Sequence, residues 1–282
     1  MFINFTENEY EKALLELFQG MGYEVLYGPE IEREYNVPFY QAQLESSIRN
    51  INPDMPADAI AEALKKLQTI DSGSLVQKNA QFMDYLQNGI EISYYKDGEV
   101  RHGIIYLVDY LNYNRNTFQA INQWTYVENS EKRADIIVFV NGLPLVLIEL
   151  KSPSREETDA SAAYRQIRNY MKEIPSMFIY NAFCVMSDMA CSKAGTITSS
   201  EDRFMEWKTK DGQYETTDFI HFDTFFEGMF RRDRLLDIIK NFCCFSANEK
   251  GDAKILAGYH QYLAVRKAVE RTVKATSGNG KI

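Results

Sequence analysis

Arg133-Ala134-Asp135-Ile136-Ile137-Val138-Phe139-Val140-Asn141-Gly142-Leu143-Pro144-Leu145-Val146-Leu147-Ile148-Glu149-Leu150-Lys151 decides how this chain folds. Two apolar, β-branched runs flank Asn141-Gly142, the dipeptide most strongly tied to a tight hairpin turn because both residues tolerate positive φ. A hairpin brings its open ends together, so Asp135 is expected beside Glu149-Leu150-Lys151. Side chains alternate along a strand, so Glu149 and Lys151 share one face while Leu150 points into the core. Two carboxylates and one ammonium therefore converge at the open end of an otherwise apolar hairpin.

That grouping suits metal-assisted phosphodiester cleavage. Mg²⁺ prefers hard oxygen donors and takes only one or two carboxylates, keeping waters or substrate phosphate as further ligands. Such an ion stabilises developing charge and acidifies a bound water, and a lysine beside it orients the nucleophile or neutralises charge. The bland alternative is a charged hairpin rim in which Lys151 is merely salt-bridged to Glu149.

The same residues, Asp135 followed by Glu149-Leu150-Lys151, resemble the PD-(D/E)xK nuclease motif. The run from Asp135 through Pro153 resembles the restriction (R, motor) subunit of type I restriction-modification enzymes. Four further stretches agree in order: Tyr10-Glu11 with Leu14, Leu17 and Gly22-Tyr23; Asn122-Gln123-Trp124; Gln166-Ile167-Arg168-Asn169-Tyr170; and Gly258 through Val265. Ala134 stands where the motif name has Pro, a residue that shapes backbone and carries no chemistry. The resemblance implies Mg²⁺, or Mn²⁺ in its place, on Asp135, Glu149 and the Leu150 carbonyl. It implies Lys151, Gln166 and Tyr170 as further catalytic residues. Glu11 is a helix-borne carboxylate that reaches toward the metal or, equally, a solvated first-turn glutamate. Gln166 and Tyr170, four apart, share a helix face.

Composition sets the limits. The chain has 282 residues, 45% hydrophobic and 25% charged, enough for a sizeable core. No apolar run approaches the roughly 20 residues that span a bilayer, and the first residues lack a secretory pattern, so a cytoplasmic protein without membrane attachment is expected. Cys184, Cys191, Cys243 and Cys244 lack metal-ligand spacing and read as buried thiols in a reducing compartment. His102, His221 and His260 are far apart. A net charge of −9 opposes strong autonomous binding to phosphates. It suits a module to which other domains deliver DNA, so weak or absent cleavage by this chain alone is expected.

Along the chain, Thr6 and Glu9 form a capping-box pattern opening a helix to about Gln19. A helical stretch over about 41–88 breaks near Asn52-Pro53 and Asp71-Ser72-Gly73. Strands are expected at Ile90–Tyr95, Val100–Tyr110 and Phe118–Val127, with the hairpin completing one antiparallel group. Ser161–Lys172 reads as a helix and Ala182–Ser187 as a strand joining in parallel. Phe204–Lys208 and Tyr214–Thr217 flank Asp211-Gly212 as a second hairpin. Helices near Phe225–Phe230, Leu235–Phe242 and Tyr259–Thr276 follow, and Ser277-Gly278-Asn279-Gly280 reads as a flexible end.

The expected architecture is α/β, a PD-(D/E)xK nuclease fold. A mixed, mainly antiparallel sheet lies between helices on both faces, with an N-terminal helical insertion. Residues 1–252 form the endonuclease domain, with a catalytic core over about 90–187, and 253–282 a linker helix leading into a motor domain. A phosphate-binding loop is missing. Gly280-Lys281 is followed by Ile282 instead of Ser or Thr, and Ala275 stands where the first Gly belongs, so ATP is expected only in a full-length subunit. Gln261 resembles an adenine-reading glutamine and has no role alone. The resemblance implies double-stranded DNA and the modification and specificity subunits as partners. It implies Mg²⁺-dependent cleavage of unmodified foreign DNA as the function. The alternatives are a non-cleaving nuclease-like docking module and another DNA repair nuclease of this fold.

Overall fold

Thr6 opens the first helix reciprocally: its hydroxyl accepts from the Glu9 amide at 3.3 Å while its own amide donates to the Glu9 carboxylate at 2.8 Å. The resulting capping box satisfies two amides that the helix itself cannot pair. The computed structural model describes residues 6–151, 160–188, 191–213, 222–248 and 251–276. The order of elements is α1 (Glu7–Gly20), β1 (Glu24–Tyr27), α2 (Gln41–Ile51), α3 (Ala57–Gln68), α4 (Leu75–Asn88), β2 (Ile90–Lys96), β3 (Glu99–Ile105) and β4 (Phe118–Val127). The chain continues through β5 (Glu131–Val140), β6 (Leu143–Leu150), α5 (Ala160–Glu173), α6 (Pro175–Ile179), β7 (Phe183–Ser187) and β8 (Ser192–Gly195). It closes with α7 (Phe222–Phe230), α8 (Arg232–Asn241), β9 (Cys243–Asn248), β10 (Gly251–Leu256) and α9 (Tyr259–Thr276).

The central sheet has six strands in the order β1-β4-β5-β6-β7-β8. β4, β5 and β6 are mutually antiparallel, β7 runs parallel to β6 as expected, and β1 runs parallel to β4. One face buries Ile136, Val138, Ile148 and Leu150 beneath α1, α2, α4, α7 and α8, through residues such as Leu14, Leu44, Phe82 and Phe226. The other buries Ile137, Phe139, Leu147 and Met186 beneath α5 and α6, through Ile167, Tyr170 and Phe178. The mixed, mainly antiparallel sheet between helices is therefore present, and the helices of 41–88 pack into the same core as the sheet.

Four readings change. β2 and β3 do not extend the main sheet; they pair only with each other, as a separate two-stranded sheet. β3 ends at Ile105 rather than Tyr110, because the Asn52 amide binds both backbone groups of Tyr106, accepting from its N–H at 2.9 Å and donating to its carbonyl at 2.8 Å. Phe204–Lys208 forms no strand: Met205 makes a single bridge to Ala194 while Phe204 and Trp207 are buried. Tyr214–Thr217 and the Ser277–Gly280 end lie outside the described residues. Cys244 is exposed although Cys243 is buried, since neighbours on β9 face opposite sides. β1, β8, β9 and β10 were not foreseen; each is short and lacks a long apolar run.

Asn141 and Gly142 both have positive φ, +54° and +79°, which identifies the left-handed turn the dipeptide foretold. Next to it the register shifts. Val140 faces Leu143 and Phe139 faces Pro144, yet Val138 faces Val146, so Leu145 is an extra residue in β6. This β-bulge has a cause in Pro144, which has no N–H to give a central strand.

Candidate active site at the mouth of the hairpin

The bulge settles which side chains meet. Counting back from the turn without it, Asp135 would face Ile148 and point away from Glu149. With it, Ile136 faces Ile148, so the next position sets Asp135 against Glu149 on the face beneath α5. Glu149 is only 2% exposed. Leu150 points into the opposite core, as expected.

The polar contacts are short. The Asp135 Oδ2 accepts from the Leu150 N–H at 2.7 Å. Lys151 Nζ donates to Glu149 Oε1 at 2.6 Å and to the Leu150 carbonyl at 2.7 Å. Glu149 Oε2 is buried with no hydrogen-bond partner among the described residues. A buried, unpaired carboxylate oxygen is costly and calls for a proton or a cation.

Burial pushes the Glu149 carboxyl up to about 8, with the Asp135 charge adding to the rise and Lys151 opposing it. Burial likewise lifts Asp135 to about 6, against the Leu150 amide and Lys151, while Glu7 and Glu11 add to the rise. Burial alone would lower the Lys151 ammonium, but Glu149, then Asp135 and Glu7, outweigh it and hold it above its ordinary value. Two carboxylates compelled to share so little water compete for one cation.

α5 lies across this face. Tyr170 is buried and its phenol donates to the Arg133 carbonyl at 2.9 Å. The ring stands close to Glu149 and Gln166, but its proton goes to Arg133, which leaves Glu149 Oε2 unpaired. Gln166, half-buried, sits one turn earlier on the same helix.

Glu11 is placed differently. Both its oxygens are taken by amides of β4: Asn122 Nδ2 donates to Oε1 at 2.6 Å and Gln123 Nε2 to Oε2 at 2.7 Å. Among the described residues, no three His, Cys, Asp or Glu side chains come close enough together to hold a metal, so Glu11 is not a third direct ligand with Asp135 and Glu149, although its charge reaches Asp135. The structure thus brings together Asp135, Glu149, Leu150 and Lys151, sets Tyr170 and Gln166 above them, and keeps Glu11 on its own support.

Sequence reasoning missed that support, and it missed a buried chain of three hydroxyls in which Tyr10 Oη lies 2.6 Å from Ser187 Oγ, itself 2.7 Å from Ser192 Oγ. The bulge had a visible signal, a proline in an otherwise central strand. The hydroxyls had none, because the contact that buries them joins Tyr10 to Ser187, far apart in sequence.

Two carboxylates and a backbone carbonyl, with one oxygen unpaired, fit a hard divalent cation. Lys151 Nζ contacts two of those oxygen donors, so in this arrangement the ammonium stands where a cation's charge would lie.

Residues 4–203 match the family described as Type I restriction enzyme R protein N terminus. The chain is 32% identical over 290 residues to the Type I restriction enzyme HindI endonuclease subunit of Haemophilus influenzae, covering 98% of this chain and 27% of that protein. It is 29% identical over 292 residues to the putative type I restriction enzyme MjaIXP endonuclease subunit of Methanocaldococcus jannaschii, covering 94% and 27%. A second protein of that organism, the putative type I restriction enzyme MjaVIIIP endonuclease subunit, is 30% identical over 278 residues, covering 95% and 25%. The chain spans about a quarter of the length of these curated relatives. Among the described residues, no helix is long and apolar enough to cross a membrane.

Proposed function

The chain belongs to the type I restriction enzyme R protein N-terminal family, and from that premise we propose that it is the DNA-cleaving part of such an enzyme, a PD-(D/E)xK nuclease that hydrolyses phosphodiester bonds of unmodified foreign DNA. The observation that carries this reading is the hairpin mouth, where Asp135 and Glu149 share a face and Glu149 Oε2 is buried and unpaired. Asp135, Glu149 and the Leu150 carbonyl would hold Mg²⁺, with Mn²⁺ as substitute. When bound, that ion offsets charge on the phosphate and acidifies water.

The protein's own groups do the rest. Lys151, released from Glu149, offers its ammonium to a phosphate oxygen or steers the attacking water. Tyr170 and Gln166, carried on α5, fix the phosphate from above the sheet. Leu150, held in the core on the opposite face, keeps its carbonyl and amide aimed at the mouth. Residues 1–252 form this nuclease domain, and 253–282 lead toward the ATP-driven part of a longer subunit. Partners are double-stranded DNA and the modification and specificity subunits.

The acidic balance of −9 makes the chain a poor DNA binder alone, so other domains place the duplex. Crystals soaked in Mn²⁺ test the reading: an anomalous peak between Asp135 and Glu149 is expected, absent in Asp135→Asn. An ordered ion elsewhere with that mouth empty would sink it. Incubating the chain with supercoiled plasmid and Mg²⁺ at low salt should give only weak nicking; efficient nicking lost in Lys151→Ala would show a self-sufficient nuclease.

A further inference from the structure

Neighbouring residues of a strand point to opposite faces, yet Asn122 and Gln123 both reach the two oxygens of Glu11, at 2.6 and 2.7 Å. The backbone makes this possible. Gln123 has φ +54°, a left-handed conformation that a residue with a side chain rarely adopts. The β4–β5 ladder is interrupted there: Asn122 faces Ile136 and Trp124 faces Ala134, while Gln123 is unpaired at the position opposite Asp135. The distortion is held from a second side, because β1 runs into Gly28 directly over it. A Cβ on Gly28 would lie 2.8 Å from the Asn122 carbonyl oxygen and 3.0 Å from that of Gln123, so only glycine fits.

Strained backbone of this kind persists where surrounding contacts over-determine it, and it concentrates at functional sites. Here it aims two amides at one carboxylate that is 9% exposed. Glu11 is also near enough for its charge to act on Asp135. The mouth itself holds an independent sign of an awaited ligand, the buried and unpaired Glu149 Oε2.

We propose that Asn122 and Gln123 are positioning residues, a two-amide clamp that fixes the Glu11 carboxylate at the β4 position opposite Asp135, within reach of its charge, where Glu11 accepts hydrogen bonds from the water shell of the divalent cation. This rests on the hairpin mouth being the cation site. The amides satisfy one lone pair on each Glu11 oxygen and leave the others for further donors. Without the clamp this buried carboxylate would lose both of its amide donors and the contacts that hold its rotamer. Supports of this sort typically change metal affinity by about 10-fold or more.

The test is Mn²⁺ binding to the chain, measured by electron paramagnetic resonance, with thermal melting as the check on folding. Gln123→Gly keeps the left-handed backbone and removes only the amide; Asn122→Ala removes the other amide at an unstrained position, so one variant suffices if the other does not fold. Each should weaken Mn²⁺ binding about 10-fold, Glu11→Gln should do the same, and Gln123→Gly should add nothing in the Glu11→Gln background. Unchanged or tighter binding in the clamp variants, or losses that add to that of Glu11→Gln, would overturn the clamp. Asp135→Asn separates the two levels: if it too binds Mn²⁺ normally, the cation site itself is wrong. If it loses binding while the clamp variants keep it, only the clamp fails.

Discussion

Two hairpins in this molecule turn in the same way and end in opposite circumstances. β2 and β3 join through Asp97-Gly98, with φ +56° and +81°; β5 and β6 join through Asn141-Gly142, with φ +54° and +79°. The first keeps one register from Ile90↔Ile105 to Lys96↔Glu99 and leaves Tyr95 and Val100 exposed. The second is buried along nearly its whole length and slips by one residue at Leu145. A turn dipeptide therefore specifies a hairpin and nothing about its use. Burial, and the bulge that reassigns faces, separate the site from a surface ribbon.

The largest expected contrast is catalytic. On the proposed function, Asp135→Asn and Lys151→Ala, each tested in a full-length subunit with its partners, should cut DNA cleavage on the order of 100-fold or more. Glu91→Gln and Glu99→Gln on the exposed hairpin should stay within about twofold, surface changes of this kind being mild. A plasmid cleavage assay reads this, and similar losses in both hairpins would erase the distinction.

Next comes the turn itself. The Asn141 side chain is fully buried, donating to the Leu107 carbonyl at 2.9 Å and to Asn116 Oδ1 at 2.8 Å while accepting from the Thr117 amide at 2.8 Å. Replacing either turn residue by glycine preserves the left-handed backbone, so only lost side-chain contacts are compared. Asn141→Gly should cost about 2–4 kcal/mol and Asp97→Gly less than about 0.5 kcal/mol, measured by urea denaturation. Equal costs would mean the buried amide contributes little.

A smaller contrast depends on pH. With chelator present, the raised Asp135 and Glu149 carboxyls keep protons in the folded chain that the unfolded chain has released. Their stabilising contribution is whole below about pH 3.8, the ordinary aspartate value, and is lost as pH rises through about 6 and then about 8. Stability should fall across that window, and Asp135→Asn should flatten the profile. Mn²⁺ binding should tighten over the same range, since the ligands must shed protons. A flat melting profile in the wild type would contradict the burial argument.

The smallest effect belongs to the helix above the site. Tyr170→Phe removes the hydrogen given to the Arg133 carbonyl and should cost about 1 kcal/mol. Cleavage by the assembled enzyme should fall about 10-fold, provided the phenol also meets phosphate. Loss of stability with full cleavage would leave Tyr170 a purely structural role.

Much of this was legible from residues alone, because the deciding signals are local. Asn141-Gly142 announces its turn, the alternation around Glu149-Leu150-Lys151 assigns their faces, Thr6 with Glu9 caps α1, and the apolar run at Phe183–Ser187 marks a strand beside β6. The split between the two hairpins was not legible, because it depends on Asn52 closing off Tyr106 from a distant helix. Nor was β1, whose four residues carry no pattern until β4 lies beside them.

Sequence by itself determined the hairpin, the order of its charged residues and the pairing of Glu149 with Lys151, since each follows from a short-range rule of turn or strand. Whether Asp135 joined them was a tertiary matter. A two-residue turn counted straight would have sent it to the opposite face, and the extra residue at Leu145 returned it. The left-handed Gln123 and the amides on Glu11 are likewise products of packing, held by β1, α1 and β4 together. Side-chain alternation is a local property, but which face looks at which neighbour depends on register, and register is set only when strands from separate parts of the chain are packed side by side.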